Sequence, residues 1–359
     1  MKIVFLDPKC PTPYDSATLA LRGLGGSEAT VIRIARALAA EHDVSVVQHN
    51  RVEPRQEGAR LAFLPLGELA RVAAAAQHVF FVHKAQHIDA VARVSKARLW
   101  LWLHNYLADE VPLFWLDHLR FRLGIVCVSR THAEHTRRQL RRLPQYWASG
   151  GLLGRGGVLW HHNPLDDALA PDPAVVRDPH KLVFFSSPHK GIEQVLRLFG
   201  LARQRDPWLK LFVANPGYVV KVDPTLLNAP GIVKLGSLPQ AEVLRHVREA
   251  LCVFYPQSRR AETFGLVYAE SNAVGTPVLA HRFGAAEEIL SSANPPLDAR
   301  DDEAVLATLA RWIAHGGPAV RARPEFALGH VAERWNAFLA APDAFAREQR
   351  TAAEQTVSA

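Results

Sequence analysis

The feature of this sequence that most constrains its fold is a repeated alternation of short apolar runs with longer amphipathic stretches. In the first part of the chain the strand-like runs span residues 2–6, 44–48, 79–83, 99–103, 125–128 and 158–160. Stretches with helical periodicity separate several of these runs, most clearly Ser27–Ala40. Alternation of this kind predicts parallel strands joined by right-handed helical crossovers.

A second series of the same kind follows an acidic, proline-rich stretch at residues 166–179. Its strand-like runs span residues 182–185, 209–213, 232–235, 252–255 and 277–280. A chain of 359 residues is long enough for two domains. We therefore predict an α/β protein with two doubly wound, Rossmann-like parallel-sheet domains that face a cleft. The predicted domains cover residues 1–163 and 164–324, and a C-terminal helix at about 325–345 packs back on the first.

The charge of the chain indicates anionic partners. The formal net charge is +7, which favours nucleotides, phosphorylated glycans or acidic lipid surfaces. Four arginines repeat at helical spacing within residues 135–143, at positions Arg137, Arg138, Arg141 and Arg142. One interpretation of this basic stripe is docking on an acidic membrane or on a phosphorylated acceptor. The alternative is a solvated surface helix. No recognition motif accompanies the charge, so we predict no nucleic-acid binding.

Cysteine usage and hydropathy indicate the compartment. Cys10, Cys127 and Cys252 are odd in number and widely spaced, which fits neither a disulfide framework nor a zinc site. The opening apolar run is too short for a signal peptide, and no stretch reads as transmembrane. We predict a cytoplasmic protein, in contact at most with the inner face of the membrane.

The most specific motif is ETFGLVYAESNAVGTPVLA, residues 262–280. If a helix spans Phe264–Ala273, then Glu262 lies in the loop at its start and Glu270 on its body, roughly 10 Å further along the axis. That separation suits a sugar nucleotide, with one carboxylate on hexose hydroxyls, the other on ribose hydroxyls, and helix-start amides facing the diphosphate. The alternative is an amphipathic helix with two exposed acids.

Two weaker motifs lie in the first predicted domain. Gly25 and Gly26 precede Ser27, a good N-cap, and a helix start of this kind can hold a phosphate or an acceptor oxygen. It can equally be a plain turn and cap. His104 ends the apolar run LWLH, where ligand-binding residues lie in parallel sheets, and His83 has the same placement.

A third weak motif is SSPHKG, residues 186–191. It places Lys190 just past the first strand of the second predicted domain, where an ammonium group can pair with a phosphate. A solvated surface lysine is the alternative.

Taken in order, these motifs resemble those of the retaining glycosyltransferases of family four, which have the two-domain GT-B fold. The resemblance extends over most of the chain. It is most specific at Glu262 and Glu270, with Phe264-Gly265 between them and Gly275-Thr276-Pro277 behind. It implies that the first predicted domain is the acceptor side and that the second binds the nucleotide-sugar donor.

The resemblance also assigns roles to side chains. It implies that Glu262 contacts the hydroxyls of the donor sugar and that Glu270 binds the ribose. Lys190 resembles the family's diphosphate-binding lysine, and His104 resembles the histidine near the transferred sugar. Glu262, His104 and Lys190 are therefore the predicted catalytic residues.

Other residues are implied to border the donor. Backbone groups would lie along the sugar and diphosphate at Thr263, Phe264, Gly265 and Leu266. Gly25 and Gly26 match a glycine pair beside the phosphate and acceptor, and Leu238 would border the base. Members of the family usually have an arginine a few residues before the lysine, where this chain has Ser186 or Ser187. Arg259 or Arg260 could supply the missing charge.

The sequence thus predicts transfer of a hexose from a nucleoside diphosphate sugar to a saccharide or glycolipid acceptor, with retention of anomeric configuration. The donor is a co-substrate, and the resemblance implies neither a cofactor nor a metal, because basic side chains and helix amides stabilise the leaving diphosphate. The alternatives are a sugar-nucleotide epimerase or phosphorylase of the same fold, or a non-catalytic nucleotide-sugar-binding module. Specificity is expected in the loops at residues 9–22 and 215–222.

Overall fold

The computed structural model describes residues 1–107, 114–149, 157–215 and 224–357. Its contacts divide the chain into two compact units. The first unit contains Met1–Asp15, Thr30–Pro164 and Leu328–Ala359, and the second contains Ser16–Ala29 and Leu165–Ala327. The sequence placed residues 16–29 in the first domain, whereas their contacts group them with the second unit.

The strands alternate with helices along both units. In chain order the strands are β1 Lys2–Asp7, β2 Asp43–Gln48, β3 Arg55–Glu57, β4 Leu61–Pro65, β5 His78–Val82, β6 Arg98–Trp102, β7 Gly124–Cys127, β8 Val158–Trp160, β9 Asp178–Phe184, β10 Lys210–Ala214, β11 Ile232–Gly236, β12 Ala250–Tyr255 and β13 Val278–Ala280. The predicted runs all fall on strands. The short strands β3 and β4 were not predicted, and β3 is a polar three-residue strand without an apolar pattern.

The helices are α1 Ser16–Leu21, α2 Gly26–Leu38, α3 Leu69–Ala74, α4 Ile88–Val94, α5 Phe114–Phe121, α6 Arg130–Arg142, α7 Pro144–Ala148, α8 Ile192–Arg205, α9 Gln240–Arg248, α10 Leu266–Ala273, α11 Ala286–Ile289, α12 Asp302–His315, α13 Leu328–Ala340 and α14 Pro342–Val357. Short 3-10 turns occupy Leu66–Glu68, Pro188–Lys190, Pro224–Asn228 and Pro324–Phe326.

The first unit is built on a sheet with strand order β3-β4-β2-β1-β5-β6-β7-β8. Its neighbouring strands run parallel except for the antiparallel pair β3–β4. Aromatic side chains fill one face of this sheet. The Phe80 ring lies 5.2 Å from that of Trp335, and the Trp100 ring lies 4.8 Å from that of Phe338. Both partners belong to α13, so burial of these aromatic rings holds α13 on the first unit.

The second unit has a fully parallel sheet with strand order β11-β10-β9-β12-β13. Strand β12 is apolar and buried throughout, and β9 is buried over its last four residues, as expected for strands inside a parallel sheet with helices on both faces. In such sheets, ligands bind beyond the carboxyl ends of the strands. The carboxyl ends of the adjacent strands β9 and β12 lead directly into the residues 185–191 and 256–265 that carry the predicted donor site.

Candidate active site

Glu262 lies in the loop between β12 and α10, and the chain on both sides holds its backbone in place. The side chain is 6% exposed, and the carbonyl oxygen accepts a hydrogen bond from the backbone N–H of Ala285 at 3.0 Å. Gly284 has a left-handed φ of +58°, and a Cβ there would lie 2.6 Å from the Glu262 carbonyl oxygen. Only glycine permits this close approach.

Lys190 and Glu262 form an ion pair, although 72 positions separate them in the chain. The lysine Nζ lies 2.9 Å from Oε1 and 2.8 Å from Oε2 of the carboxylate. Lys190 ends the 3-10 turn Pro188–Lys190 after β9, and Gly191 reverses the chain with a φ of +98°. The structure therefore joins two of the predicted catalytic residues at the carboxyl ends of neighbouring strands.

Tyr255 also holds the Glu262 carboxylate, and the sequence did not reveal this contact. The Tyr255 hydroxyl donates to Oε1 at 2.8 Å and lies 3.3 Å from the Ser186 Oγ. Tyr255 is 1% exposed. Burial, and then the neighbouring Glu262 carboxylate, raises the pKa of this tyrosine well above its usual value, so the hydroxyl keeps its proton as a hydrogen-bond donor.

Glu270 is the second buried carboxylate of the motif. It lies on α10, is 4% exposed, and its Oε2 accepts a hydrogen bond of 2.6 Å from the Gln240 side chain. Gln240 begins α9, two residues after the predicted base-side residue Leu238, which is half-buried in the loop after β11. Both acids of the motif are thus buried and hydrogen-bonded, and the alternative of two exposed acids on an amphipathic helix is wrong.

The helix that carries Glu270 begins at Leu266, two residues later than predicted. Gly265 occupies the N-cap with a φ of +86°, and a Cβ there would lie 2.5 Å from the Tyr268 ring. The Phe264 ring is buried against Phe326 at 5.2 Å. Because that side chain belongs to the core, only the backbone of Phe264 can contact a ligand. Gly265 likewise has only its backbone to offer, and Thr263 is half-buried.

The loop before Glu262 carries two exposed arginines on a fixed backbone. The Gln257 side-chain oxygen accepts from the backbone N–H groups of Arg259 and Arg260, each at 3.0 Å. Its amide donates to the Arg260 carbonyl at 2.7 Å. Both arginine side chains are exposed. Gln257 therefore fixes the backbone and leaves the guanidinium groups available to a ligand.

His189, beside Lys190, is a further residue that the sequence did not single out. Its Nδ1 lies 2.7 Å from the Ser187 Oγ. Burial lowers the pKa of His189, and the positive charges of Arg260 and Lys190 lower it further, while Glu262 opposes them. His189, Lys190 and Arg260 therefore share one electrostatic environment. The only sequence signal for His189 was its position next to Lys190 in SSPHKG.

The glycine pair lies at the start of α2, within the segment that groups with the second unit. A Cβ on Gly26 would lie 2.9 Å from the Leu266 Cδ1, so Gly26 approaches the start of α10. Gly25 precedes the helix, and its carbonyl accepts from the Ala29 N–H at 3.1 Å. Since the helix begins at Gly26, Ser27 lies in its first turn rather than at the predicted N-cap.

His104 lies in the first unit, just beyond β6. It is buried, and its ring lies 4.7 Å from the Trp102 ring and 5.2 Å from that of His83. Burial, with smaller effects from His83 and His132, lowers the pKa of His104 well below its usual value. His104 is therefore a neutral imidazole, able to donate or accept a hydrogen bond without carrying charge.

The specificity loop predicted at residues 215–222 is described only at Asn215, and its remaining residues lie outside the described part of the chain. Across the described ranges, no group of three or more His, Cys, Asp or Glu side chains is arranged to hold a metal ion. None of the helices described is both long and apolar enough to span a membrane. Cys10, Cys127 and Cys252 are buried, and none of the three forms a disulfide.

Comparison with known proteins supports the interpretation of the second unit. Residues 180–323 match the family model of the glycosyl transferases group 1. Comparison with curated protein sequences gives no significant match. The matched segment contains both residues of the Lys190–Glu262 pair and both residues of the Gln240–Glu270 pair.

Several solved structures resemble the chain along its whole length. One is AviGT4, a glycosyltransferase involved in avilamycin A biosynthesis, at 16% identity and a TM-score of 0.61, covering 94% of this chain and 96% of that one. Another is HepE of Anabaena, solved with UDP and glucose, at 16% identity, a TM-score of 0.63 and coverage of 95% and 99%. A third is the sucrose-phosphate synthase of Thermosynechococcus elongatus, at 15% identity, a TM-score of 0.64 and full coverage of both chains.

The chain therefore has the fold of the GT-B glycosyltransferases, and its residues 180–323 match the glycosyl transferases group 1 family model. The family resemblance and the α/β architecture of two parallel-sheet domains, both predicted from the sequence, are confirmed. The roles of the individual site residues stay predictions.

Proposed function

We propose that this protein transfers a hexose from a nucleoside diphosphate sugar to a saccharide or glycolipid acceptor, with retention of anomeric configuration. The observation that carries the proposal is the buried Glu262 carboxylate, held by Lys190 at 2.8 Å in a glycosyltransferase domain. A buried carboxylate beside a lysine can accept hydrogen bonds from sugar hydroxyls while the ammonium group binds the adjacent diphosphate.

The second acid extends the site along the donor. The Glu270 carboxylate would accept hydrogen bonds from both ribose hydroxyls. The loop that contains Leu238, just before Gln240, would border the base. Lys190 and Arg260 would neutralise the diphosphate as it leaves, which is the main electrostatic demand of this reaction. We propose that these two side chains meet that demand and that no metal is needed.

The environment of Glu262 argues against a covalent glycosyl–enzyme intermediate. Its carboxylate already accepts hydrogen bonds from Lys190 and Tyr255, an arrangement that orients the group and lowers its reactivity as a nucleophile. We propose that the departing phosphate deprotonates the acceptor on the same face of an oxocarbenium-like sugar. His104 is proposed to contact the transferred sugar.

The proposal is tested by incubating the protein with UDP-, GDP- and ADP-hexoses and candidate saccharide acceptors. Thermal stabilisation identifies the donor, because the shift grows with the logarithm of ligand concentration over Kd. The anomeric configuration of the product is then read by NMR. An inverted product contradicts retention. Donor conversion without an acceptor supports an epimerase instead, and donor binding with neither hydrolysis nor transfer supports a binding module.

We further propose that the protein acts in the cytoplasm, on an acceptor at a membrane surface, in a pathway that builds polysaccharide or lipopolysaccharide. On α6, Arg138, Arg141 and Arg142 are exposed. Trp147 of α7 is 70% exposed, and its indole N–H donates to the Arg141 carbonyl at 2.9 Å. Exposed arginines beside an exposed tryptophan fit an anionic lipid interface.

Sedimentation with vesicles tests this contact. We expect binding to vesicles of phosphatidylglycerol and phosphatidylcholine, and not to phosphatidylcholine alone. Substitution of the three α6 arginines by glutamine should abolish binding. The same change at three exposed basic residues elsewhere should have less effect, namely at Arg36 on α2, Arg93 on α4 and Lys96 in the loop after α4. Equal effects of the two triple variants would mean that net charge alone is responsible.

A further inference from the structure

Lys190 and Tyr255 both bond to the Glu262 carboxylate, and they differ in their freedom to leave it. Lys190 has a side chain 30% exposed to solvent, on a flexible four-carbon stem. Tyr255 is 1% exposed, at the end of the central strand β12, and its ring packs 5.7 Å from Phe184 and 5.9 Å from Tyr268. The lysine can turn to another anion, whereas the tyrosine is fixed by packing.

Donor binding makes this difference important. The role proposed above for Lys190 is to bind the diphosphate, which competes with Glu262 for the same ammonium group. As the lysine turns toward the phosphates, the carboxylate loses the partner that contacts both of its oxygens. A glutamate without a fixed partner would sample several rotamers and contact the sugar less often.

We propose that Tyr255 is a positioning residue that keeps Glu262 directed at the donor sugar while Lys190 binds the diphosphate. This role rests on the function proposed above. The 2.8 Å hydrogen bond from the Tyr255 hydroxyl to Oε1 does not depend on the lysine. It is made to Oε1, so it persists when the Lys190 ammonium group moves away from Oε2.

Ser186 completes the arrangement. A tyrosine hydroxyl has one proton, and here that proton is donated to Glu262, so the Ser186 hydroxyl at 3.3 Å donates to the Tyr255 oxygen. Ser186 is itself buried. A chain of two neutral hydroxyls thus supports the carboxylate. It orients Glu262 without adding a second cation that would compete for it.

The experiment compares binding of a nucleoside diphosphate with that of the corresponding nucleotide hexose, using whichever of the UDP, GDP and ADP series stabilises the protein. Tyr255→Phe removes the hydroxyl and keeps the ring. We expect its affinity for the nucleoside diphosphate to stay within about twofold of wild type. The additional affinity due to the hexose should fall by roughly 10-fold, the loss expected for one charge-assisted hydrogen bond. In turnover, the KM of the nucleotide-hexose donor should rise with its Kd, and kcat should fall as well, because the sugar is less well oriented.

Thr276→Val is the control. Its hydroxyl is also fully buried in the second unit, where it donates to the Val247 carbonyl oxygen at 2.8 Å. We expect a similar loss of thermal stability and no change in the contribution of the hexose to binding. Ser186→Ala should produce a weaker form of the Tyr255→Phe effect, and it serves if the tyrosine variant does not fold.

Equal losses of affinity for the nucleoside diphosphate and the nucleotide hexose would overturn the proposal, since Tyr255 would then support the fold of the whole site. An unchanged hexose contribution in Tyr255→Phe would overturn it as well. A wild-type protein that binds both ligands but transfers no hexose would contradict the proposed function, while the binding comparison would still decide the role of Tyr255.

Discussion

Replacement of Glu270 by alanine should weaken binding of the nucleoside diphosphate by about 1–3 kcal/mol, or roughly 5- to 150-fold in Kd. The carboxylate is 4% exposed, so its hydrogen bonds to ribose hydroxyls would be shielded from water. One oxygen already accepts from Gln240 at 2.6 Å, and sharing that oxygen moderates the loss. The range is therefore that of one to two charge-assisted hydrogen bonds.

Calorimetric titration with the nucleoside diphosphate and its 2′-deoxy analogue measures this effect. If Glu270 binds the 2′-hydroxyl, wild type should bind the analogue more weakly, and Glu270→Ala should lose less on the same change. Glu270→Gln keeps one acceptor oxygen and should fall between the two proteins. Glu242→Ala is the control, because it removes an exposed carboxylate on α9 two residues beyond Gln240. A folded Glu270→Ala protein with unchanged affinity would refute the reasoning.

Four further outcomes are expected. Glu262→Gln should lower turnover more than it lowers the affinity for the nucleoside diphosphate. Equal losses would mean that Glu262 contacts the nucleotide portion of the donor rather than the hexose. Lys190→Ala and Arg260→Ala should each weaken donor binding, and the double variant should lose less than the sum of the two effects. If Arg260→Ala leaves donor affinity unchanged at low salt, Arg260 does not belong to the site. Because an anion beside His189 raises a pKa that Arg260 and Lys190 lower in the free protein, binding should take up a proton. Nucleotide-hexose affinity should therefore rise as pH falls from about 8 to about 5, and it should stay flat in His189→Gln. Gly284→Ala, with its Cβ 2.6 Å from the Glu262 carbonyl oxygen at a φ of +58°, should destabilise the protein by about 2–4 kcal/mol in thermal unfolding, and an unchanged Tm would contradict that packing.

The order of strands and helices could be read from the sequence because periodicity is a local property. Each predicted run coincides with a strand to within a few residues, since a buried parallel strand must be continuously apolar. The strand β3 was missed because its three residues, Arg55–Glu57, are polar and short. The start of α10 shifted to Leu266 because Gly265 adopts a left-handed conformation, which the identity of a glycine permits but does not require.

The sequence by itself determined the fold class and the acids of the motif, because these are expressed by spacing within a single segment. Only the tertiary structure decided which partners these acids have. Tyr255 lies in an apolar strand, where its pattern is that of a core residue, and Gln240 and Lys190 are 30 and 72 positions from the carboxylates they contact. Such contacts arise from parallel packing of strands distant in the chain, a relationship that no local pattern encodes.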